Sequence, residues 1–456
     1  MEISPSQLSE KVILGELPIC IIGLGRIGLP LACLYGKAGA AIIGVDTNPQ
    51  IIKLIENRKP PFVEPMVREL LSNRNPKPSF SLTRDTKEAV AESRIILIMV
   101  PTRIDERKNP DYSALEKSSL SIGRALQRGS LILVQSTVGP GITESIVKEN
   151  LEKASGLKTN EDFGLAYSPI RASPGRIVSD LENYPRIVAA LDESTLEKSC
   201  ALVSIIMKGG LIKMKSVRAA EATKLFENMF RDVNIALANE LANYCEHAGL
   251  DYYEIAEAAN SQPFSHLLRP GIVGGKCIPV NPYFLITEAK DIDVDLPLVK
   301  TARRVNDDSP KRAVRTIIAA LRECGKTLRG ARILILGASY KANVKEEDAL
   351  TPAHALYDSL RSRGARPTVW DPLFETSELK DLGYAVSPSI EDALEQTDCI
   401  VVAVAHDEFR RLKPRLMKTR TRRGRIAMVD ISGQGIFSFE DSTESCVCTS
   451  VGLGHV

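Results

Sequence analysis

The chain has 456 residues, 44% apolar and 25% charged, the balance of a globular protein of two or three domains. Lys plus Arg number 59 against 57 Asp plus Glu, and a net charge of +2 excludes a strongly basic nucleic-acid binder or an acidic disordered tail as the main theme. No apolar run approaches the ~20 residues that span a bilayer, no secretory leader opens the chain, and nine scattered cysteines do not make a disulfide framework, so a cytoplasmic protein without membrane or nucleic-acid partners is expected.

Short Ile/Val/Leu runs predict strands at Pro18–Gly23, Ala41–Asp46, Ile95–Val100, Leu131–Ser136, Phe163–Tyr167 and Arg186–Ala190. Continuous apolar runs separated by amphipathic segments point to a parallel sheet covered on both faces. Val217 to Ala248 has no Gly or Pro and predicts one long helix, with Gly249 as its stop. The Gly/Pro-rich stretch from Pro263 to Pro282 breaks regular structure. Alternation resumes with strands expected at Arg332–Gly337, Pro367–Asp371, Cys399–Ala405 and Arg425–Asp430. The fold class is therefore α/β, two Rossmann-like parallel-sheet domains joined by a long central helix.

The first strand runs into Gly23-Leu-Gly25-Arg26-Ile27-Gly28 and then a helix. In that setting the first glycine permits a tight turn, the second admits a pyrophosphate, and the third lets helix and strand pack closely. Asp46, 18 residues after Gly28 at the end of the next strand, is placed to hold ribose hydroxyls. Thr47 and Asn48 follow it, with no adjacent arginine for a 2′-phosphate, so NAD is favoured over NADP. The bland alternative is an α/β turn that merely uses glycine. Thr102 and Thr137, beyond two further strand ends, are candidates for the nicotinamide side, with loop and cap chemistry as their alternative.

Cys277 lies in Gly274-Gly275-Lys276-Cys277-Ile278-Pro279, a turn rather than a core position. A neighbouring cation raises the thiolate fraction of a thiol. A thiolate near a nicotinamide can add to an aldehyde, lose hydride from the thiohemiacetal to NAD, and leave a thioester for water. Cys20, Cys33 and Cys399 read as buried fillers, and Cys446 and Cys448 lack partners at metal-ligand spacing, so no metal is expected. On the long helix, Glu221, Lys224 and Asn228 share one face. Lys224 and Asn228 can together stabilise an oxyanion, and a solvated stripe is the bland alternative.

These segments, in this order, resemble the UDP-glucose/GDP-mannose dehydrogenase family. The chain is most similar to its UDP-N-acetylmannosamine/UDP-N-acetylglucosamine 6-dehydrogenase branch. The resemblance is carried by GLGRIGLP at 23–30, VPTRID at 100–105, STVGPG at 136–141, AEATKLFEN at 220–228, NIALANELA at 234–242, GGKCIPVNPYF at 274–284, TARRVND at 301–307 and LGASYKANV at 336–344. It implies an NAD-binding Rossmann domain over 1–205, a central helical dimerisation and catalytic-loop region over 206–310, and a C-terminal nucleotide-sugar-binding domain over 311–456. It implies Cys277 as nucleophile, Lys224 and Asn228 as oxyanion stabilisers, and a homodimer built on the long helix. Arg26 and Ile27 join the glycines and Asp46 at the cofactor, and Arg171, Lys276, Tyr340 and Lys341 are the substrate candidates. The implied reaction is a four-electron oxidation of the C6 hydroxymethyl to a uronate, of the kind that feeds polysaccharide synthesis.

The chain also departs from the family pattern. Where the family has Ser-Pro-Glu-Arg, this chain has Ser168-Pro169-Ile170-Arg171. Asn281 stands at a family acid and Lys276 at a family histidine. The stretch from Lys345 to Pro352 lacks the arginine that the family sends to a partner's substrate. The same chemistry on UDP-glucose or GDP-mannose, and a catalytically reduced homologue that only binds NAD and nucleotide sugar, are therefore kept as alternatives.

Overall fold

The structure, a computed structural model, describes residues 3–64, 67–72, 80–345, 350–387, 389–411 and 424–454. The chain forms two compact units: Met1–Glu227 with Tyr283–Asp295, and Asn228–Pro282 with Leu296–Val456. Of the stretch from Lys345 to Pro352, residues 346–349 lie outside the described residues.

In the first unit the strands are β1 (Ile19–Ile22), β2 (Ile42–Val45), β3 (Phe80–Thr83), β4 (Ile95–Ile98), a small hairpin of β5 (Arg103–Ile104) and β6 (Pro110–Asp111), then β7 (Leu131–Val134), β8 (Gly164–Tyr167), β9 (Arg186–Ala190) and β10 (Leu211–Lys213). Among the described residues the main sheet has the order β10-β9-β8-β7-β4-β1-β2-β3. Alternate residues of each central strand enter different cores: Ile19, Ile21, Ile95 and Leu97 on one face, Cys20, Ile22, Ile96 and Ile98 on the other. Burial on both faces is what selects unbroken apolar runs over alternating ones.

Two features depart from the expected parallel sheet. β9 pairs antiparallel to β8, a direction that an apolar run does not signal. β3 and β10 extend the two edges and were not expected; Phe80 and Ser81 are exposed, as is all of β10, so neither strand has a continuous buried run.

The second unit holds β11 (Arg332–Leu336), β12 (Arg366–Trp370), β13 (Cys399–Val402), β14 (Ile426–Asp430) and β15 (Cys446–Ser450). They form a parallel sheet of order β12-β11-β13-β14-β15. Ile333 and Ile335 face one core and Leu334 and Leu336 the other. Cys446 and Cys448 pack inside β15, a strand the sequence reading did not assign.

The long helix spans Val217–Ala248 and ends at Gly249, whose φ of +68° is the left-handed stop that glycine adopts without strain. A second helix, Pro297–Glu323, runs through the expected boundary at 310 with Pro310 inside it. Pro310 has no N–H to offer the carbonyl four residues back. Ser309 compensates: its hydroxyl donates to that carbonyl, Asn306 O, at 2.6 Å. The segment after Pro263 is irregular as expected until Asn281, where the helix Asn281–Asp291 begins.

Candidate active site

In the first unit the cofactor candidates converge beyond the C-terminal ends of β1, β2, β4 and β7, where the strand order reverses and open α/β sheets bind ligands. Gly23 has φ +98°, and a Cβ there would meet the carbonyl oxygen of Met99 at 2.7 Å. A Cβ on Gly28 would collide with the Gly23 carbonyl, whereas one on Gly25 would meet nothing within 4 Å. The second glycine thus faces open space, as a pyrophosphate cradle requires.

Asp46 shapes the same turn. Its carboxylate accepts from Leu24 N and from Asn48 N, each at 2.9 Å, while the group stays half exposed. Arg26 lies over the ring of Phe62 at 5.4 Å, and Ile27 is the residue before the helix Gly28–Lys37. Thr102 donates to Thr137 O at 2.5 Å, and Ser136 donates to Val100 O at 2.6 Å, so the two strand-end loops are tied together. The loop chemistry weighed for Thr102 is present, and its hydroxyl keeps acceptor capacity for a ligand. The residues fit NAD.

The long helix brings Glu221, Lys224 and Asn228 onto one face, and that face is no solvated stripe. Glu221 is fully buried, Asn228 is buried and Lys224 is half buried. Glu221 accepts from Gly141 N at 2.5 Å and Thr143 N at 2.9 Å, fixing the turn after β7. Burial pushes its carboxyl up to about 7 despite those donors. Arg171 is held by Glu227, with Nε 2.7 Å from the carboxylate, and donates to Pro185 O at 3.2 Å. Ile170 beside it is packed into the core.

In the second unit, Cys277 is exposed, unlike the other cysteines. Burial pushes the thiols of Cys20 and Cys33 up to about 12 and raises Cys399 and Cys448 as well, so those four stay protonated. The Cys277 carbonyl accepts from Asn281 N at 2.9 Å, which sets Cys277 one turn before the helix Asn281–Asp291. Lys276 is exposed beside it. Gly275 has φ +87°, and a Cβ there would lie 3.0 Å from two ring carbons of Tyr340. Gly274 is as tight, with Tyr340 Cβ at 2.9 Å. The glycines are there because the loop lies against Tyr340. Among the described residues, the buried side-chain nitrogens Nδ2 of Asn228 and of Asn281 have no hydrogen-bond partner, and such donors are costly unless a ligand uses them. No group of three or more His, Cys, Asp or Glu among the described residues is placed to hold a metal.

Sequence reasoning missed the framework behind this loop. Asn239 clasps Gly271, donating to its carbonyl at 3.0 Å and accepting from its N–H at 2.9 Å, and also donates to Asn306 at 3.1 Å. Asn306 donates to Asp232 Oδ1 at 2.8 Å, and buried Arg303 bonds the same carboxylate. Asp232 and Asn239, seven residues apart, are both buried on one face of the long helix; that spacing was the available signal.

A Gly-rich cradle with its acid in register, on a sheet of this topology, belongs to the NAD-dependent dehydrogenases. Three family models match in chain order: the NAD binding domain of the UDP-glucose/GDP-mannose dehydrogenase family over residues 17–205, its central domain over 218–308 and its UDP binding domain over 334–433. The chain belongs to that family and is an NAD-dependent nucleotide-sugar dehydrogenase. It is 33% identical to a UDP-N-acetyl-D-mannosamine dehydrogenase of Pyrococcus horikoshii, over 86% of this chain and 90% of that one. It is 32% identical to a UDP-N-acetyl-D-glucosamine 6-dehydrogenase of Pseudomonas aeruginosa, over 87% and 92%. The solved structure of the P. horikoshii enzyme superposes with a TM-score of 0.87 at 30% identity, covering 96% of this chain and 100% of that one.

Proposed function

We propose that the protein oxidises C6 of a UDP-N-acetylhexosamine, UDP-N-acetylmannosamine first, to the uronate, with Cys277 as the nucleophile. The observation that carries this reading is the exposed Cys277 on a loop pressed against Tyr340, one turn before Asn281, whose buried amide nitrogen has no hydrogen-bond partner among the described residues. The names of the relatives above support the sugar class. NAD, when bound, accepts a hydride from C6 in each of two oxidations.

The chain's own residues do the rest. Gly23, Gly25, Arg26, Ile27, Gly28 and Asp46 hold the dinucleotide, with Thr102 and Thr137 toward its nicotinamide end. Cys277 Sγ adds to the C6 aldehyde, and the new C–S bond leaves an oxyanion for which Lys224 and the Asn228 amide are donors. After the second oxidation, water adds to the thioester carbonyl, and departure of the thiolate restores Cys277 and releases the carboxylate. Arg171, Lys276, Tyr340 and Lys341 orient the substrate. The division 1–205, 206–310 and 311–456 assigns these tasks to cofactor, catalytic-loop and nucleotide-sugar regions.

The long helix also presents Phe226, Phe230, Leu237 and Tyr244, 59%, 58%, 43% and 64% exposed, on one face. A continuous apolar stripe of that kind supports a homodimer formed through this helix.

NADH formation from UDP-N-acetylmannosamine, UDP-N-acetylglucosamine, UDP-glucose and GDP-mannose, run side by side, tests the substrate class. The two acetamido sugars are expected to have the highest kcat/KM; preference for UDP-glucose or GDP-mannose overturns the reading, and binding without turnover of any sugar favours the reduced homologue.

A further inference from the structure

We propose that His406 is a positioning residue for the nucleotide sugar: clamped to Asp371, it fixes the shape of the 337–344 loop that carries Tyr340 and Lys341. The inference rests on the reading that this loop contacts substrate.

The two sheets share a turn. In the first, Gly23 (φ +98°) follows β1, and Asp46 after β2 accepts from Leu24 N and Asn48 N. In the second, Gly337 (φ +96°) follows β11, and Asp371 after β12 accepts from Ala338 N at 2.7 Å and Leu373 N at 2.8 Å. The same turn is built twice. Asp46, however, is half exposed, so a ribose can reach it, whereas Asp371 is 1% exposed. What covers Asp371 includes His406, whose Nε2 lies 3.0 Å from Asp371 Oδ2 and whose ring stands edge-on to Phe409 at 5.4 Å.

The other ring nitrogen decides the chemistry. His406 Nδ1 accepts from Asn343 N at 3.0 Å. A backbone N–H can only donate, so Nδ1 carries no hydrogen and Nε2 donates its own to Asp371. Burial works to raise the Asp371 carboxyl, but the bond from His406 and the backbone donors hold it below the usual carboxylate range. Asn343 sits at φ +60°, and its Oδ1 accepts from Asp407 N at 3.1 Å. The loop is thus tied at Ala338 to Asp371 and at Asn343 to His406 and Asp407. Tyr340 lies between the ties, with its ring against Gly275, two residues before Cys277. An acid that the first sheet leaves open to ribose is closed off in the second and used to hold the loop.

His406→Phe keeps the ring and its contact with Phe409 but removes both hydrogen bonds; Asp371→Asn removes the charged acceptor while keeping the shape. Calorimetry on the full chain, with UDP as probe, reads the sugar-nucleotide site; the KM for NAD reads the other ligand. Loss of the clamp is expected to weaken UDP binding about tenfold in either variant, with the double variant no weaker than the singles. The KM for NAD is expected to stay within about twofold, because Asp46 and the fingerprint are untouched. Tyr340→Ala is run alongside. If it weakens UDP binding while His406→Phe and Asp371→Asn do not, the positioning role is overturned. Equal losses for UDP and NAD in both clamp variants indicate general destabilisation and also overturn it. Unchanged UDP binding in Tyr340→Ala overturns the underlying reading of the loop, and the positioning role with it.

Discussion

The ring of Tyr340 lies against Gly275, so that a Cβ at residue 275 would stand 3.0 Å from two of its ring carbons. Gly275 is also at φ +87°, where a side chain costs about 1–2 kcal/mol. Gly275→Ala is therefore expected to displace Cys277 and lower kcat/KM about 10–100-fold, since misplacements near 1 Å cost that much. Steady-state kinetics with a folded variant checks this, and an unaltered kcat/KM argues against the contact's importance.

Asp46 supplies the second prediction. Its carboxylate holds Leu24 N and Asn48 N and remains half exposed. Asp46→Ala loses charge-assisted bonds of about 1.5–3 kcal/mol each, so the KM for NAD is expected to rise roughly 10–100-fold with little change in the nucleotide-sugar KM. A rise in the sugar KM alone contradicts the assignment.

Much of this was legible in the sequence because both-face burial demands runs such as Ile19–Ile22 and Cys399–Val402, and because the fingerprint glycines are fixed by turn geometry. The edge strands β3 and β10 were not legible, having no buried run to mark them. Nor was the helix through Pro310, which depends on a hydroxyl of Ser309 reaching Asn306 O. The cradle and Cys277 could be read locally. The clasp of Asn239 on Gly271 and the clamp of His406 on Asp371 join residues 32 and 35 apart, and only the fold brings them together.

Glu221 makes stability depend on pH. Its folded-state pKa is raised from 4.5 to about 7 by burial, so the folded protein keeps a proton that the unfolded chain releases. Its contribution is fully present below the unfolded value and falls as pH rises through that window, levelling off above about 7. Thermal melts from pH 4 to 8 are expected to show Glu221→Gln gaining on the wild type across this range and then running parallel to it. Parallel curves throughout contradict the raised value.

The apolar stripe on the long helix gives a fourth expectation. Phe230→Glu places a charge in the middle of Phe226, Leu237 and Tyr244 and is expected to turn a dimer into a monomer in sedimentation velocity. Identical sedimentation of wild type and variant removes the helix as the interface.

In the proposed mechanism, Ile170 and Asn281 bear on thioester hydrolysis. Ile170 is sealed in the core, while Asn281 lies one turn after Cys277 with its Nδ2 unpaired among the described residues. Asn281→Asp is expected to raise the steady-state rate of NADH formation about tenfold or more, by supplying a base to the water. An unchanged steady-state rate shows that residue 281 does not govern this step.

The proposed function turns on four-electron oxidation through Cys277. Its most direct test is the ratio of NADH formed to UDP-N-acetylmannosamine consumed, in the wild type and in Cys277→Ser. Two NADH per sugar and a uronate product are expected in the wild type, with that stoichiometric oxidation lost in the serine variant. A ratio of one in the wild type, or a ratio of two that survives in Cys277→Ser, contradicts it.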